Sequence, residues 1–467
     1  MNPPLIVDLD GTLLRSDLLI ESFFALASHH PLKALGAVAA LTKGRAAFKH
    51  RLAAKMNIDP ATLPYSDAVL AEIASAREAG QQIWLVSASD ESLVRKIAAH
   101  LGGFDGVIGS DGVTNLRGET KARVLVAKFG ERGFDYLGND QTDIAVWNHA
   151  RRVLMAHPAA KFQRQITARY PGSRAVGSPA RPTDRLNALR PHQWLKNLLV
   201  FVPVLAAHHF GTAPLFAAIM TFVAISLTAS ALYLINDLID LARDRAHPTK
   251  RHRPLAAGKI PLQEALMMVP MLLVAAILVC SVLPRIELAV LAGYAVTSLA
   301  YTLILKRLMM IDVVTLACLY GVRLVLGAVG ADVKLTAWLA AFSLFLFFSL
   351  ALVKRTAELA HRKTPGPIAG RSYMAGDEPL LAALASASGM VSVLVFALYV
   401  NSPEVRVLYH APNHLWFICV VLLYWIGRVL MLSHRGEMHA DPVVFAVTDK
   451  ISLISILVAG AILVSAL

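Results

Sequence analysis

From about residue 195 onward the chain is a succession of apolar runs, each close to the length that crosses a bilayer, with short polar loops between them. A hydrocarbon core about 30 Å thick needs about 20 apolar residues in helical form. Backbone groups inside lipid find no water, so helices packed as a bundle are the fold such runs permit. Nine spans are expected, at roughly 196–211, 213–235, 262–283, 286–305, 311–330, 336–353, 380–400, 413–432 and 449–467. The first is short and contains Pro203. Residues 1 to about 180 lack this pattern and read as an ordinary soluble domain. The stretch RAVGSPARPTD, 174–184, is rich in Pro, Gly and charge and reads as a connection. The expected division is therefore a soluble domain over 1–172, a linker over 173–186 and a membrane domain over 187–467.

The formal charge of +13 is distributed by side. Loops after the second, fourth, sixth and eighth spans carry Arg243, Arg245, Lys250, Arg251, Arg253 and Lys259, then Lys306 and Arg307, then Lys354, Arg355, Arg362, Lys363 and Arg371, then Arg435. The alternate loops hold little beyond Arg285, Lys334 and Arg406. The positive-inside rule then places the even loops and the N-terminal domain in the cytoplasm of a bacterial-type inner membrane, with the C-terminus on the far side. This topology and a need for phosphate ligands account for the basic charge without a nucleic-acid role. The opening MNPPLIVDLDGT fits a cytoplasmic start rather than a signal peptide. Cys280, Cys318 and Cys419 lie in apolar spans without metal-site spacing and read as packing residues. No obligate protein partner is expected.

Between the second and third spans lies NDLIDLARDRAHPTKRHRPLAAG, 236–258. Asn236, Asp240, Asp244 and His247 are spaced i, i+4, i+8, i+11. On a continuous helix they fall within roughly 80° of one face, with Asp237 at its edge. Carboxylates gathered at the end of a membrane helix repel one another and cost desolvation. A hard cation would neutralise them, and oxygen ligands that leave room for substrate phosphates suggest Mg²⁺. The bases further along, Arg245, Lys250, Arg251 and Arg253, suit the phosphates such a metal bridges. A solvated cytoplasmic loop would explain the bases but not the acids.

In the soluble part, PLIVDLDGT (4–12) is a short apolar strand ending in Asp8, with Asp10 on the same side. IWLVSAS (83–89) is a second strand, ending in Ser87; Lys121 comes next in GETKARVL; FDYLGNDQTD (134–143) is a strand ending at Gly138, Asn139 and Asp140, with Asp143 three residues on. Helical patterns separate these strands, so the expected fold is a parallel sheet with helices on both faces and polar residues at the strand ends, where α/β ligand sites form. This motif order resembles the haloacid dehalogenase (HAD) superfamily over roughly residues 1–170. The resemblance implies a Rossmann-like phosphatase domain with Asp8 as nucleophile and Asp10 as general acid and base. It implies that Ser87 and Lys121 hold phosphoryl oxygens, and that Asp140, near Asp143, completes a Mg²⁺ site with Asp8 and Asp10. The insertion from Leu13 to about Ala79 then looks like a small helical cap.

The stretch 187–467 resembles the UbiA superfamily, whose members are all-α bundles of nine transmembrane helices with an NDxxDxxxD motif after the second helix. Here the motif is Asn236, Asp237, Asp240 and Asp244. LRPHQWLKNLLVFVP (189–203), DRAHPTKRHRPLAAG, YTLILKRLMMIDV (301–313), KRTAEL (354–359) and HADPVVFAVTDKISL (439–453) resemble the polyprenyl-phosphate phosphoribosyltransferase branch. That resemblance implies transfer of 5-phosphoribose from phosphoribosyl diphosphate to a lipid phosphate. The alternative is ordinary prenyl transfer from a prenyl diphosphate to an aromatic or other acceptor, which usually has a second aspartate-rich motif. The corresponding loop holds only Asp312, beside Lys306 and Arg307. Phosphate-rich substrates need more cations, and Lys196, Asn197, Lys250, Arg253, Lys306, Arg323, Lys354 and Arg355 are the candidate binders. Arg323 lies on the helix face of Asp312, roughly 16 Å along the axis, and a buried Arg in a span points to a partner. Lys354 and Arg355 could equally be interfacial anchors, and Trp194 a belt residue. A tethered phosphatase needs neither nine spans nor this constellation. A transporter would place its ionisable groups near the midplane.

Overall fold

The computed structural model describes residues 2–30, 33, 36, 58–111, 114–360, 372–438 and 441–467. The middle of the expected cap, residues 31–57 apart from 33 and 36, and the basic positions Arg362, Lys363 and Arg371 lie outside these. The contact pattern divides the chain into two compact units, residues 1–189 with 233–270, and residues 190–232 with 271–467.

The first unit is built on a sheet of six parallel strands. These are β1 Leu5–Asp8, β2 Ile83–Asp90, β3 Gly106–Ser110, β4 Asp135–Gly138, β5 Arg152–Ala156 and β6 Arg174–Val176. Their order is β3-β2-β1-β4-β5-β6. The strands read as apolar runs because both faces are covered. One face packs Leu5, Val7, Leu85 and Leu137 with the helices Asp67–Glu78 and Glu91–Leu101. The other packs Ile6, Val86, Tyr136 and Met155 with the helix Glu119–Phe129. The chain runs outward in opposite directions from β1, and its register with β4, Val7 opposite Leu137, sets the end of β1 beside the end of β4. Such a switch point is where α/β sheets form ligand sites. Residues 174–176 of the expected linker are β6, paired with β5, and Pro182–Ala188 is a short helix.

Seven helices among the described residues are long and apolar enough to cross a membrane. They are Thr212–Ile239, Leu262–Cys280, Arg285–Leu303, Ile311–Gly330, Ala337–Ala360, Ala375–Val400 and Pro412–His434. The two remaining expected spans are shorter. The first is a 3₁₀ segment, Pro191–Phe201, leading into the brief helix Val202–Ala206. Proline at the start of that helix fits its first turn but forbids continuation from the preceding residues. The last is the 17-residue helix Lys450–Ala466, about 25 Å long against a core of about 30 Å.

The core of the second unit joins Ile311–Gly330, Ala337–Ala360, Ala375–Val400 and Pro412–His434 through Val313, Ala351, Val353, Val393 and Ile426. Small hydroxyls bond across these helices, Ser349 to the Ala385 carbonyl at 2.7 Å and Thr356 to Ser433 at 2.6 Å, as is usual where lipid offers no hydrophobic drive for association. A Cβ on Gly327 would lie 1.9 Å from the Val200 carbonyl oxygen. The 3₁₀ segment therefore lies directly against the backbone of Ile311–Gly330. Large apolar side chains such as Met271, Leu278, Phe417 and Leu457 stand exposed on the outer helices, which is the surface lipid covers.

Candidate functional site

Three groups of polar residues stand out in an otherwise apolar molecule. The first is at the β1–β4 switch point. Asp8 is buried and bonded to the Lys121 Nζ at 2.6 Å. Lys121 also donates to the Tyr136 hydroxyl at 3.1 Å, and that hydroxyl donates to Asp143 at 2.8 Å. Asp143 further accepts from the backbone amides of Asn139 at 2.8 Å and Asp140 at 3.1 Å. Asp10 accepts from Ser87 at 3.0 Å, from Ser89 at 2.6 Å and from the Leu18 amide at 2.8 Å. Burial pushes the Asp8 carboxyl up to about 7, against the pull of Lys121. Burial and the charge of Asp17 raise Asp10, against the hydroxyl and amide donors. Burial would lower Lys121, but Asp8 and Asp143 outweigh it and hold its proton firmly. A raised carboxyl at Asp10 suits a general acid, while the bond from Lys121 favours the ionised form of Asp8.

The structure thus brings Asp8, Asp10, Ser87 and Lys121 together. Asp140 is different: it is exposed and caps the turn after β4, accepting from the Thr142 amide at 2.6 Å. Asp143 is the buried carboxylate at that strand end. Sequence reasoning missed Ser89 and Tyr136. Ser89 lies two residues beyond Ser87 and so shares its side of β2; Tyr136 lies two before Gly138 on β4. The period of two was the available signal.

The second group is the aspartate-rich segment. The helix Thr212–Ile239 ends before Asp240, which sits at φ −95° and ψ 10°, and a new short helix, Leu241–Ala246, begins after it. The helix is thus interrupted at Asp240 and His247 lies past the end of the second one, so Asn236, Asp240, Asp244 and His247 do not lie on one uninterrupted helix. Asp237 and Asp244, both buried, instead converge on one guanidinium nitrogen of Arg253, at 3.4 and 2.5 Å. Asp240 pairs with Arg243 at 3.2 Å. His247 turns its ring nitrogen to the backbone amides of Thr249 and Lys250. Lys250 is exposed in the turn Lys250–His252. Arg245 is not available to a phosphate: it is buried against Glu21, at 2.5 Å. Among the described residues no three His, Cys, Asp or Glu side chains converge closely enough to form a metal-binding group. The donor chemistry nevertheless suits Mg²⁺, because two buried carboxylates already meet at one positive charge.

The third group lies in the second unit, around Tyr320. Asp441 accepts from Lys196 at 2.9 Å, Lys354 at 2.7 Å and the Tyr320 hydroxyl at 2.8 Å. Burial alone would raise Asp441, but Lys196 and Lys354 hold it well below the carboxylate range. Arg323 Nε donates to Asn197 at 2.9 Å, and the guanidinium also reaches the Leu319 carbonyl and the Tyr294 hydroxyl. Lys196 and Arg323 each stand 6.0 Å from the centre of the Tyr320 ring. Asn197 completes the linkage by donating to Ser226 at 2.9 Å, and Trp194 donates to Ser230 at 2.9 Å. Asp441 was not singled out from the sequence, since its neighbours Val443 and Val444 are ordinary core residues.

Two expected binders fall elsewhere. Arg355 and Asp312 are fully buried and paired at 2.7 Å; Arg355 also reaches Glu358 at 2.6 Å and the Tyr301 hydroxyl at 2.8 Å. Asp312 takes a further bond from Tyr373 at 2.5 Å. With its three nitrogens engaged, Arg355 braces helices, which is the usual meaning of a closed buried ion network. Lys306 is partly buried in the turn Leu305–Arg307.

These features define an integral membrane protein whose N-terminal part has the parallel sheet and strand-end acids of a phosphohydrolase domain. Residues 5–146 match the haloacid dehalogenase-like hydrolases, and residues 197–464 match the UbiA prenyltransferase family. The chain belongs to the UbiA prenyltransferase family and carries an N-terminal HAD domain. It is 38% identical over 98% of its length to the uncharacterized protein y4nM of Sinorhizobium fredii, covering 90% of that protein. It is 37% identical to the nodulation protein NoeC of Azorhizobium caulinodans, over 58% of this chain and 89% of that one. It is 30% identical to the decaprenyl-phosphate phosphoribosyltransferase of Mycolicibacterium smegmatis, over 57% of this chain and 86% of that one.

Proposed function

We propose that the membrane domain, 187–467, transfers a 5-phosphoribosyl group from phosphoribosyl diphosphate to a polyprenyl phosphate. We propose further that the HAD domain, 1–172, removes a phosphate monoester, the 5-phosphate of the product. The observation that carries this reading is the charge around Tyr320, where Lys196 and Lys354 share the carboxylate of Asp441 and Arg323 stands over the Tyr320 ring. Arg323 is buried and its acceptors are neutral. Uncompensated buried cations are costly, and a substrate rich in phosphate removes that cost. The similarity to a decaprenyl-phosphate phosphoribosyltransferase supports the same reading.

Asn236, Asp237, Asp240 and Asp244 would hold Mg²⁺, which supplies charge neutralisation for the departing diphosphate. Arg253, already between Asp237 and Asp244, and Lys250 stabilise the diphosphate as the C1–O bond breaks. Lys196, Arg323 and Lys354 bind the remaining phosphates. The acceptor phosphate oxygen forms the new bond to C1. It is already an anion, so no strong general base is needed. In the HAD domain, Asp8 attacks phosphorus while Asp10 gives its proton to the leaving alkoxide. Water then attacks the aspartyl-phosphate, and Asp10 takes the proton back. Ser87 and Lys121 hold phosphoryl oxygens, and Asp8, Asp10 and Asp140 would hold Mg²⁺, which would supply charge neutralisation for the transferred phosphoryl group. The HAD domain faces the cytoplasm of an inner membrane.

Purified protein is incubated with Mg²⁺, radiolabelled phosphoribosyl diphosphate and a polyprenyl phosphate, as wild type and as Asp8→Asn, and the lipid is analysed by mass. Ribosyl lipid from the wild type and phosphoribosyl lipid from the variant is the expected result. Phosphoribosyl lipid from both separates the phosphatase from the series. No labelled lipid from either, with turnover of a prenyl diphosphate, replaces this reading by prenyl transfer.

A further inference from the structure

We infer that Glu21, a residue of the HAD domain, is a positioning residue for the aspartate-rich segment of the transferase. Glu21 lies on the helix Leu18–His29, directly after the loop that carries Asp10. Both of its oxygens are taken by Arg245, at 2.5 and 3.1 Å, and the Ser16 hydroxyl donates to it as well. The two side chains are 6% and 7% exposed. A bidentate carboxylate–guanidinium pair shielded from water fixes distance and orientation together.

Arg245 is next to Asp244, and its Nε donates to the Ala256 carbonyl at 3.0 Å. It thereby ties both ends of the loop that carries Lys250 and Arg253. Arg253 in turn spans Asp237 and Asp244. The line runs from Glu21 through Arg245 to the carboxylates themselves. Other contacts seat the same surface: Arg243 donates to Ser28 at 2.6 Å, and Gln263 to Asp17 at 2.8 Å. Gly258, at φ +63°, comes so close to Arg15 that a Cβ would lie 2.8 Å from its Cβ. At the other end, the Leu18 amide is held by the Asp10 carboxylate at 2.8 Å. One helix therefore touches a proposed acid of the hydrolase and orients proposed metal ligands of the transferase.

The test uses the full chain as wild type, Glu21→Gln, Arg245→Gln and the double variant, with Glu21→Asp as a milder change that keeps the charge. Amide hydrogen exchange is followed over 241–258, with the β-sheet as the control for folding. The expected result is exchange over 241–258 about tenfold faster in Glu21→Gln with the sheet unchanged. Glu21→Asp is intermediate, and the double variant is no worse than either single one. The half-saturating Mg²⁺ concentration for transfer rises, while turnover of a small phosphate monoester stays within about twofold, a split that loss of general stability does not produce. Wild-type exchange over 241–258 in both Glu21 variants, or additive losses in the double variant, overturns the inference. The Mg²⁺ measurement rests on the proposed transfer reaction; the exchange measurement does not. Absence of transfer in the wild type would therefore count against that reaction alone.

Discussion

Removing the carboxylate of Asp441 isolates the charge argument in one atom. Asp441→Asn keeps the shape of the side chain but leaves Lys196 and Lys354 without their common counter-charge. Breaking a buried pair by deleting one partner costs about 3–5 kcal/mol, because the other charge stays buried. Lys196 is 7% exposed and takes that cost in full, whereas Lys354 is 26% exposed and recovers part of it from solvent. The Tyr320 bond to a charged acceptor adds about 1.5–3 kcal/mol, of which the asparagine oxygen restores a share. A loss of about 4 kcal/mol is therefore expected. At about 2–4 °C per kcal/mol for a unit of this size, residues 190–232 with 271–467, the midpoint falls by about 8–16 °C. Thermal unfolding in detergent at neutral pH reads this directly. The series matters as much as the size: Asp441→Asn should cost most, Lys196→Met less, and Lys354→Met least. Added inorganic diphosphate should restore much of the loss in Asp441→Asn by supplying the missing anion. A midpoint within about 2 °C of wild type, equivalent to roughly 1 kcal/mol or less, would refute the reasoning, as would Lys354→Met costing more than Lys196→Met.

Local geometry sets three further outcomes. Gly327→Ala places a methyl 1.9 Å from the Val200 carbonyl oxygen, so the 3₁₀ segment must move; a loss of about 1–3 kcal/mol is expected in the same melts. Lys121→Ala removes the charge bonded to Asp8 and should lower turnover of a small phosphate monoester by a factor of about 100 or more, with phosphoribosyl transfer retained. His157 bonds to Ser66 at 2.8 Å and to the Ser178 carbonyl at 3.1 Å; burial and the charge of Arg15 lower it below its ordinary value. The unfolded chain then binds the proton more readily, so stability is full above about pH 6.5 and falls as the pH drops below it. Thermal melts of wild type from about pH 7.5 to about pH 5.5, roughly one unit either side of the free imidazole, should show that fall, and His157→Gln should flatten it.

Much of the hydrolase site was readable because its residues are tied to strand ends. Asp8 closes β1, Ser87 lies within β2 and Gly138 closes β4, so an apolar run giving way to polar residues announces each position. Lys121 could be placed only through the resemblance, since nothing in its own helix points at Asp8. The aspartate-rich segment was readable in composition but not in geometry. A continuous helix was the natural reading of i, i+4, i+8 spacing, and the turn at Asp240 carries no proline or glycine to announce it. Long-range pairs were the least readable. Glu21 and Arg245 are separated by 224 positions, and the partners of Asp441 come from residues 196, 320 and 354. Arg355 carried the same local signal as Lys354, and only the packing of Asp312 and Tyr301 against it distinguishes the two.

On the proposed reading, the carboxylate of Asp441 would act as a tethered competitor of the substrate phosphates. It is attached to the same framework as the lysines it neutralises, so its effective concentration is far above that of any free ion. A small monovalent anion cannot displace it, because one charge gained on the lysines is one charge lost. A ligand that brings several negative charges at once can take the lysines and still leave Asp441 its bond from Tyr320. The site would thus reject a monovalent anion such as chloride and open only to a polyanion, a selectivity that comes from the resting state rather than from any contact with the chosen ligand.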